Sequence, residues 1–401
     1  MRFLLATISA VLMALGFYFW PLAFVALIPL IYALNHSKHK IKLGAYAGVL
    51  FALLNMIWHW GISLEQYGVE HSWPFIGFVW LISGLCGAWV GLWTYAFNKT
   101  QNVAFLAFWW AVCEVIRAWF IGLLWYAPGV MLGVNWTVGF LGYSIAESPF
   151  IALASLPGGV MILSGFIALV NLLVYNLPKS KTGNPLTDYW FQLALLITIT
   201  GLFTYHFHIQ SVPDEPLTVS MNIEEEADVI LLYEGASKFT EWPEYENSLI
   251  IDSTDKKLRF LYTSDQSELP GNKFLLMPHG EYLPLITRPF IKLMAGDNPK
   301  VKELERTKIT PISRLQYLDG VSILATACSD VMSWTLFSKV KPDIITNSAS
   351  YSWFIDSDLL QRHAQQWARV RAVETGAWYY QNSNYGDNFK VNPQGELSFI
   401  R

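Results

Sequence analysis

The protein has 401 residues, of which 53% are hydrophobic and 14% are charged, against about 25% charged residues in an ordinary soluble domain. Residues 1–209 contain 8 Lys+Arg and 5 Asp+Glu, whereas the other 192 residues contain 19 and 26. This composition excludes a wholly soluble protein and a disordered chain, and the three cysteines exclude a disulfide-rich scaffold. The net charge of −7 in the second part argues against a nucleic-acid-binding surface.

Two domains are predicted: a membrane domain over 1–209 and an extracytoplasmic domain over 210–401. A helix needs about 20 apolar residues to cross about 30 Å of hydrocarbon. About seven transmembrane helices are therefore predicted, near 3–18, 22–34, 43–62, 74–97, 103–125, 150–175 and 189–208. The first two segments are short, which favours a tight helical hairpin.

The loops between these segments alternate in charge, which predicts how the chain is oriented. Alternate loops carry all the lysines, namely Lys38, Lys40, Lys42, Lys99, Lys179 and Lys181. The loop with Glu65 and Glu70 and the stretch 126–149 contain no Lys or Arg. Because positive loops stay in the cytoplasm, we expect a cytoplasmic N-terminus and a periplasmic second domain at a bacterial inner membrane.

One pair of charged residues lies inside the fifth apolar segment. Glu114 and Arg117 are three residues apart, on one face of a helix. Intramembrane charges are costly and are often functional. The alternatives are a mutual ion pair that locks helix packing, or an arginine that reaches toward the interface.

After residue 217 the pattern changes to short β-rich and apolar runs that end in polar residues. A run with helical spacing, "LLQRHAQQWARVRAVETG", ends at Gly376. These elements predict a layered α/β or α+β domain. Glu234 follows "DVILLY", Lys273 begins "KFLLMPHGEY" and Cys328 ends "ILATAC".

Glu234, Lys273 and Cys328 matter as a set, since each alone is an ordinary residue. Together they offer a base, a cation and a nucleophile, which covalent acyl transfer requires. A free thiol has a pKa of about 8.5, so a carboxylate is needed to take its proton and a cation to offset the repulsion. No cofactor or metal motif is present in the sequence, and none is predicted.

The order Glu…Lys…Cys with "PHGEY" resembles the nitrilase (carbon–nitrogen hydrolase) superfamily. The apolar segments, with "EVIRAW…GLLW" and "LPGGV…LVNLLVYN", resemble the apolipoprotein N-acyltransferase family. In the second domain "SWFIDS", "RVRAVETG" and "NSNYG…VNPQGEL" are similar to that family. The resemblance implies a multi-pass α-helical membrane bundle followed by an α/β nitrilase-like domain, an αββα sandwich, apparently truncated here.

The resemblance also implies roles for four residues. Cys328 matches the nucleophile, Glu234 the general base, Lys273 the oxyanion-stabilising cation and Glu281 a second active-site glutamate. The implied reaction moves an acyl chain from a membrane phospholipid, through a thioester, to the N-terminal amine of a diacylglyceryl lipoprotein. Neither a nucleic-acid partner nor a particular oligomeric state is predicted.

Several positions depart from the family pattern, and they keep other interpretations open. Ser329 and Asp330 replace a Tyr-Glu pair, His279 replaces an aromatic Phe, and Ser350 and Tyr351 replace an Asn-Asp pair near Trp353. Only about 25 residues separate the last apolar segment from Glu234, too few for a full first strand and helix. The alternatives are an envelope protein of conjugative transfer, similar to the TraB type, and a membrane-anchored C–N hydrolase or amidase.

Overall fold

A computed structural model describes most of the chain, and it divides into two compact units. The described residues are 1–62, 73–179, 188–234, 236, 248–254, 257–263, 267–275, 278, 281–296, 298–306, 315–352 and 357–400. The first unit comprises 1–60, 77–121 and 137–211; the second comprises 61–76, 122–136 and 212–401. A break between the units thus falls close to the predicted boundary at residue 210, and two segments from earlier in the chain join the second unit.

The chain before residue 210 is helical, as its apolar composition predicts. Its α-helices are α1 (Arg2–Leu15), α2 (Ile28–Asn35), α3 (Lys40–Asn55), α4 (Trp73–Leu85), α5 (Val90–Phe97), α6 (Val103–Leu124), α7 (Val160–Asn176) and α8 (Tyr189–Ile209). Short 3₁₀ segments extend or join several of them, at Trp20–Phe24, Ile57–Gly61, Cys86–Trp89, Leu141–Ile145 and Pro149–Ser155.

Each of the seven predicted apolar segments contains helix, but their lengths differ. Among the described residues, four stretches are long and apolar enough to cross a membrane: Lys40–Gly61, Trp73–Phe97, Val103–Leu124 and Tyr189–Ile209. Three others are shorter apolar helices, at Arg2–Leu15, Trp20–Asn35 and Val160–Asn176. A count of seven spans therefore stays a prediction. Glu65, Glu70 and Lys181, on which part of the orientation prediction rests, lie outside the described residues.

The sixth segment, predicted as one helix over 150–175, is divided in two. A 3₁₀ helix covers Pro149–Ser155, and α7 begins only at Val160. Between them Gly158 and Gly159 have φ values of +111° and +54°, which side chains other than glycine rarely adopt. The glycine pair therefore ends the first piece and allows the sharp entry into α7.

Glu114 and Arg117 bind the backbone of the stretch 138–141, which lies before the sixth segment and is not α-helical. The Glu114 carboxylate accepts hydrogen bonds from Leu141 N at 2.8 Å and from Trp110 Nε1 at 3.3 Å. The Arg117 guanidinium donates to Val138 O at 2.6 Å. Both residues are buried. Backbone groups outside a helix need partners where water is scarce, so this pair supplies them within the first unit.

The second unit contains two sheets. The first has β1 (Val219–Ser220), β2 (Val229–Leu231), β3 (Leu249–Thr254), β4 (Lys257–Tyr262) and β5 (Ser267–Asn272) in that order; β1 to β3 are parallel and β3 to β5 antiparallel. The second has β6 (Leu315–Leu318), β7 (Val321–Ala327), β8 (Ile344–Ser350), β9 (Trp378–Asn384), β10 (Phe389–Val391) and β11 (Leu397–Phe399). In it β7, β8 and β9 are parallel, and the other pairings are antiparallel.

The core of this unit lies between the two sheets. Alternate residues of each strand enter one cluster, since side chains alternate across a strand: Val229, Leu231, Leu249, Ile251, Leu258 and Phe260 from the first sheet, and Ile323, Ala325, Ala327 and Ile344 from the second. These strands are thereby fixed face to face, and their ends become a common edge for polar residues.

The α-helices among the described residues of the second unit are α9 (Arg288–Ala295), α10 (Pro299–Arg306), α11 (Trp334–Phe337) and α12 (Asp358–Thr375). Helix α12 packs against β9 and β10, and it ends at Gly376 with φ +74°, as the sequence predicts. The expected fold class, apolar membrane helices followed by a nitrilase-like two-sheet domain, is confirmed. The start of the domain is short, since β1 has two residues and 221–228 form turns instead of a helix.

Candidate active site

Cys328 lies at the sharp turn where β7 ends. The strand stops at Ala327, and a 3₁₀ helix begins at Cys328 and runs to Met332. Cys328 itself has φ +47°, a conformation that costs free energy in any residue with a side chain. The residue is partly exposed. A residue held in a strained conformation at a strand end is typical of a nucleophile.

Lys273 joins both predicted glutamates in one buried charged group. It follows directly after β5, and its side chain is only 2% exposed. The ammonium Nζ donates to Glu281 Oε1 at 2.8 Å and lies 3.6 Å from Glu234 Oε1. Burial lowers the pKa of Lys273, but the carboxylates of Glu234 and Glu281 outweigh it and hold that pKa well above its usual value. Lys273 is therefore charged throughout the physiological range.

The same charges act on the Cys328 thiol. Burial raises its pKa to about 12, the Lys273 ammonium lowers it, and the carboxylates of Glu234 and Glu281 raise it. The thiol form therefore dominates at neutral pH. Because the thiolate is the attacking species, this site needs a base that takes the proton as attack begins. Glu234 and Glu281 are the carboxylates that act on the thiol, and both also contact Lys273.

The two residues after the nucleophile tie its turn to the lysine segment. The Asp330 carboxylate accepts hydrogen bonds from Ala327 N at 3.0 Å and from Leu275 N at 2.6 Å. The Ser329 hydroxyl donates to Leu275 O. Burial raises the pKa of Asp330 to about 6, although Lys273 and the backbone donors lower it. The sequence shows these residues only as departures from a family pattern, whereas the structure gives them a positioning role.

Arg371 supports the far end of the nucleophile turn. Its fully buried guanidinium donates from Nε to Val331 O at 2.9 Å, pairs with Glu374, and lies 5.2 Å from the ring centre of Phe337. Carbonyls at the end of a short helix have no partner within it, so a cation there is stabilising. Arg371 belongs to the "RVRAVETG" motif, which is the signal by which sequence reasoning could have found this role.

A chain of polar side chains runs from Thr326 to Tyr351 across three parallel strands. Thr326 Oγ1 donates to Asn347 Oδ1 at 3.1 Å, Asn347 Nδ2 donates to Gln381 Oε1 at 3.1 Å, and Gln381 Nε2 donates to the Tyr351 hydroxyl at 3.2 Å. Burial and the charge of Cys328 raise the pKa of Tyr351. This network fixes a neutral phenol beside the thiol, a feature that the sequence shows only as a substitution at position 351.

The four predicted site residues, Glu234, Lys273, Glu281 and Cys328, come together in the structure. His279 and Trp353, named from the sequence as neighbours of the site, lie outside the described residues. Within the described ranges, the structure contains no group of three His, Cys, Asp or Glu side chains that could hold a metal ion. The charged groups described above form a site in which the thiol proton of Cys328 can pass to a carboxylate beside an ammonium, and this arrangement suits covalent acyl chemistry.

The fold and these side chains define the class of site: a thiol, two carboxylates and an ammonium brought together at strand ends, in a chain whose first part consists of apolar helices. Residues 9–173 match the family model of the apolipoprotein N-acyltransferase N-terminal domain. The apolipoprotein N-acyltransferase of Haemophilus influenzae is 25% identical over 98% of this chain and 85% of its own length. That of Azotobacter vinelandii is 25% identical over 98% and 86%. The resemblance that the sequence motifs indicate is therefore confirmed.

The solved structures that resemble part of this chain are more distant. A CN-hydrolase superfamily protein from Xanthomonas campestris, with an arsenic adduct in its active site, has a TM-score of 0.31 and 14% identity over 44% of this chain and 74% of its own. An amidase from Nesterenkonia sp. has a TM-score of 0.26 and 11% identity over 38% of this chain and 57% of its own.

Proposed function

We propose that this protein is a membrane N-acyltransferase that transfers an acyl chain from a phospholipid, through a thioester on Cys328, to the N-terminal amine of a lipoprotein. The observation that carries the proposal is the Lys273 ammonium, buried against Glu281 and Glu234 while its charge acts on the Cys328 thiol. The two curated relatives, both named apolipoprotein N-acyltransferase, support the choice of acyl donor and acceptor.

In the first step the Cys328 sulfur attacks the ester carbonyl of the phospholipid. Glu234 takes the thiol proton as the C–S bond forms, because the raised pKa of Cys328 leaves little free thiolate. Lys273 stabilises the oxyanion, and Glu281 keeps Lys273 in place through its 2.8 Å contact. The ester C–O bond then breaks, and Glu234 returns the proton to the departing lysophospholipid oxygen. The product is a thioester on Cys328.

In the second step the amine of the lipoprotein attacks the thioester carbonyl. An ammonium group is not nucleophilic, so Glu234 first takes one of its protons. The C–N bond forms, the C–S bond breaks, the sulfur recovers that proton from Glu234, and the nitrogen releases its second surplus proton to water. One difficult transfer is thereby divided into two easier steps, which predicts ping-pong kinetics.

The location that we propose follows from the loop charges. Both substrates are lipids, so the thiol has to lie close to a membrane surface. The alternation of lysine-bearing and lysine-free loops favours a cytoplasmic N-terminus and a periplasmic catalytic unit in a bacterial inner membrane. A periplasmic site would face the leaflet in which a lipoprotein leaves the inner membrane.

The decisive experiment is acylation of the full-length protein with a phospholipid labelled in its acyl chain. We expect a hydroxylamine-sensitive label on Cys328, lost in Cys328→Ala and retained in the matched control Cys86→Ala/Cys113→Ala, which removes the other two thiols. Label that survives in Cys328→Ala, or no label in the wild type, would refute the proposal. Steady release of fatty acid or of ammonia from simple amides, without transfer to a lipoprotein peptide, would favour the hydrolase interpretation instead.

A further inference from the structure

Within the second unit, residues 125–135 are bound to two parts of the candidate active site. One part follows Glu281, and the other follows the turn at Cys328. This segment, Trp125–Asn135, is called the strap here. It follows α6 and belongs to the second compact unit. Its position in the sequence, between two apolar segments, gives no sign of that placement. Hydrogen bonds from backbone and side-chain groups join each of its ends to a different part of the candidate active site.

The first end of the strap is bound to the residues that follow Glu281. The Tyr282 hydroxyl donates to Trp125 O at 2.7 Å, and Leu285 N donates to Tyr126 O at 2.9 Å. Tyr282 is 1% exposed and packs in one apolar cluster with Ala127, against which Val130 also lies. Because Tyr282 is the next residue in the chain, these contacts restrict the movement of Glu281, the partner of Lys273.

The second end is bound just after the nucleophile turn. The Ser333 hydroxyl donates to Asn135 Oδ1 at 2.9 Å, and Thr335 N donates to Val134 O at 3.4 Å. Ser333 is the joint between the 3₁₀ helix that begins at Cys328 and helix α11, since its side chain also accepts from Leu336 N. The strap therefore holds the segment that carries the sulfur.

Gly133 shows how closely the strap approaches α11. A Cβ atom at Gly133 would lie 2.8 Å from Thr335 Oγ1, nearer than such atoms come in real structures. An alanine at this position would therefore push the strap away from α11 unless the threonine oxygen were removed. Gly133→Ala should therefore disturb this close contact, and adding Thr335→Ala should restore it.

We propose that the strap is a positioning element of the active site, which keeps Glu281 against Lys273 and the Cys328 turn in register with both. Four hydrogen bonds and one buried tyrosine join it to the residues that follow Glu281 and to the residues that follow the Cys328 turn. Its consequence for acyl transfer rests on the proposed function. The geometric claim can be tested without any lipid substrate, through the reactivity of the Cys328 thiol.

The test measures alkylation of Cys328 by iodoacetamide against pH in the full-length protein, with the modified site identified by mass spectrometry. The groups that act on the thiol are Lys273, Glu234 and Glu281, with the phenols of Tyr351 and Tyr379 also coupled to it. Glu281 raises the pKa of Cys328, so releasing Glu281 from the site should lower the pH at which alkylation is half maximal.

Tyr282→Phe and Gly133→Ala are expected to change the alkylation rate at fixed pH by about threefold or more, the effect of one lost hydrogen bond. Tyr282→Phe should also move the alkylation profile to lower pH. The matched control is Tyr262→Phe, which removes a 3.0 Å phenol hydrogen bond to Gln316 elsewhere in the unit. The double variant Gly133→Ala/Thr335→Ala should recover the wild-type rate, which a general loss of stability would not.

The outcomes separate the two proposals. If the strap variants alkylate like the wild type while Glu281→Gln moves the profile, the positioning role of the strap is overturned and the proposed site stands. If Glu234→Gln, Glu281→Gln and Lys273→Met all leave the profile unchanged, the charged group does not act on Cys328, and the proposed function falls with it.

Discussion

Replacing Lys273 by methionine tests the centre of the site. The side chain becomes one atom shorter and loses its charge, so two carboxylates remain in a buried position without their cation. Lys273 is 2% exposed, and its ammonium lies 2.8 Å from one carboxylate and 3.6 Å from the other. Breaking a buried ion pair by removing one partner costs about 3–5 kcal/mol, because the remaining charge stays desolvated.

The chain provides a matched control in Lys292. Its ammonium also lies 2.8 Å from a glutamate, Glu305, which a second cation, Arg288, approaches at 3.6 Å. The difference is exposure: the Lys292 side chain is 53% exposed, and a surface pair contributes about 0–1 kcal/mol. Lys292→Met should therefore leave the melting temperature nearly unchanged, whereas Lys273→Met should lower it by many degrees.

The chemical effect is separate from the loss of stability. Removing an oxyanion donor costs about 2.7–4 kcal/mol, or a factor of about 10² to 10³ in the rate of thioester formation. Lys273 also lowers the pKa of Cys328, so the variant should alkylate more slowly than the wild type at any given pH. Single-turnover acylation and iodoacetamide labelling, both measured well below the melting temperature, report these two effects. Wild-type acylation by a folded Lys273→Met protein would refute the mechanism.

Three further predictions concern residues around the site and in the helices. The raised pKa of Asp330 adds to the stability of the wild type at low pH, and this contribution is lost as the pH rises to about 6. The melting temperature of the wild type should therefore fall more between about pH 4 and 6 than that of Asp330→Asn, and melting curves across that range measure the difference. Arg371→Lys should lower stability by about 1–3 kcal/mol, since lysine cannot reproduce the contacts to Val331 O and Glu374; equal melting temperatures would contradict this role. Glu114→Ala should destabilise the detergent-solubilised protein by about 1–3 kcal/mol, and Glu114→Gln by less, because only glutamine keeps an acceptor for Leu141 N. Identical thermal inactivation of the two variants would contradict this role of Glu114.

The charged residues Glu114 and Arg117 of the first unit have a structural role. Intramembrane charges are often taken as a sign of a substrate pathway. Here Glu114 and Arg117 bind the backbone at Leu141 and Val138, in a stretch that is not α-helical. Arg117 is buried, and Glu114 and Arg117 also interact electrostatically with each other, so the interpretation that this pair locks helix packing stays a prediction beside these contacts. A backbone without helical partners needs side chains to replace them, and no periodicity in the sequence reports that need.

The catalytic candidates could be predicted from the sequence because polar residues at the ends of short apolar runs mark the ends of strands. Glu234, Lys273 and Cys328 each adjoin a short apolar run, and parallel or facing strands bring such ends to one edge. The resemblance then added Glu281. Asp330 and Ser329 were not found as site residues, because their partner Leu275 lies more than 50 positions away in the chain. Arg371 appears in the sequence only as part of the "RVRAVETG" motif, and its contact with Val331 O, 40 positions away, is visible only in the structure.

The sequence by itself determined that an apolar helical part precedes a soluble two-layer part, since helix and strand periods and the distribution of charge are local properties. It also determined which side chains could react. Only the tertiary structure decided that the sixth apolar segment is broken at Gly158 and Gly159, that Lys273 meets both glutamates, and that Trp125–Asn135 binds the loops of the second unit. These outcomes depend on contacts between distant segments, whose free energy is fixed by packing and desolvation in the folded chain.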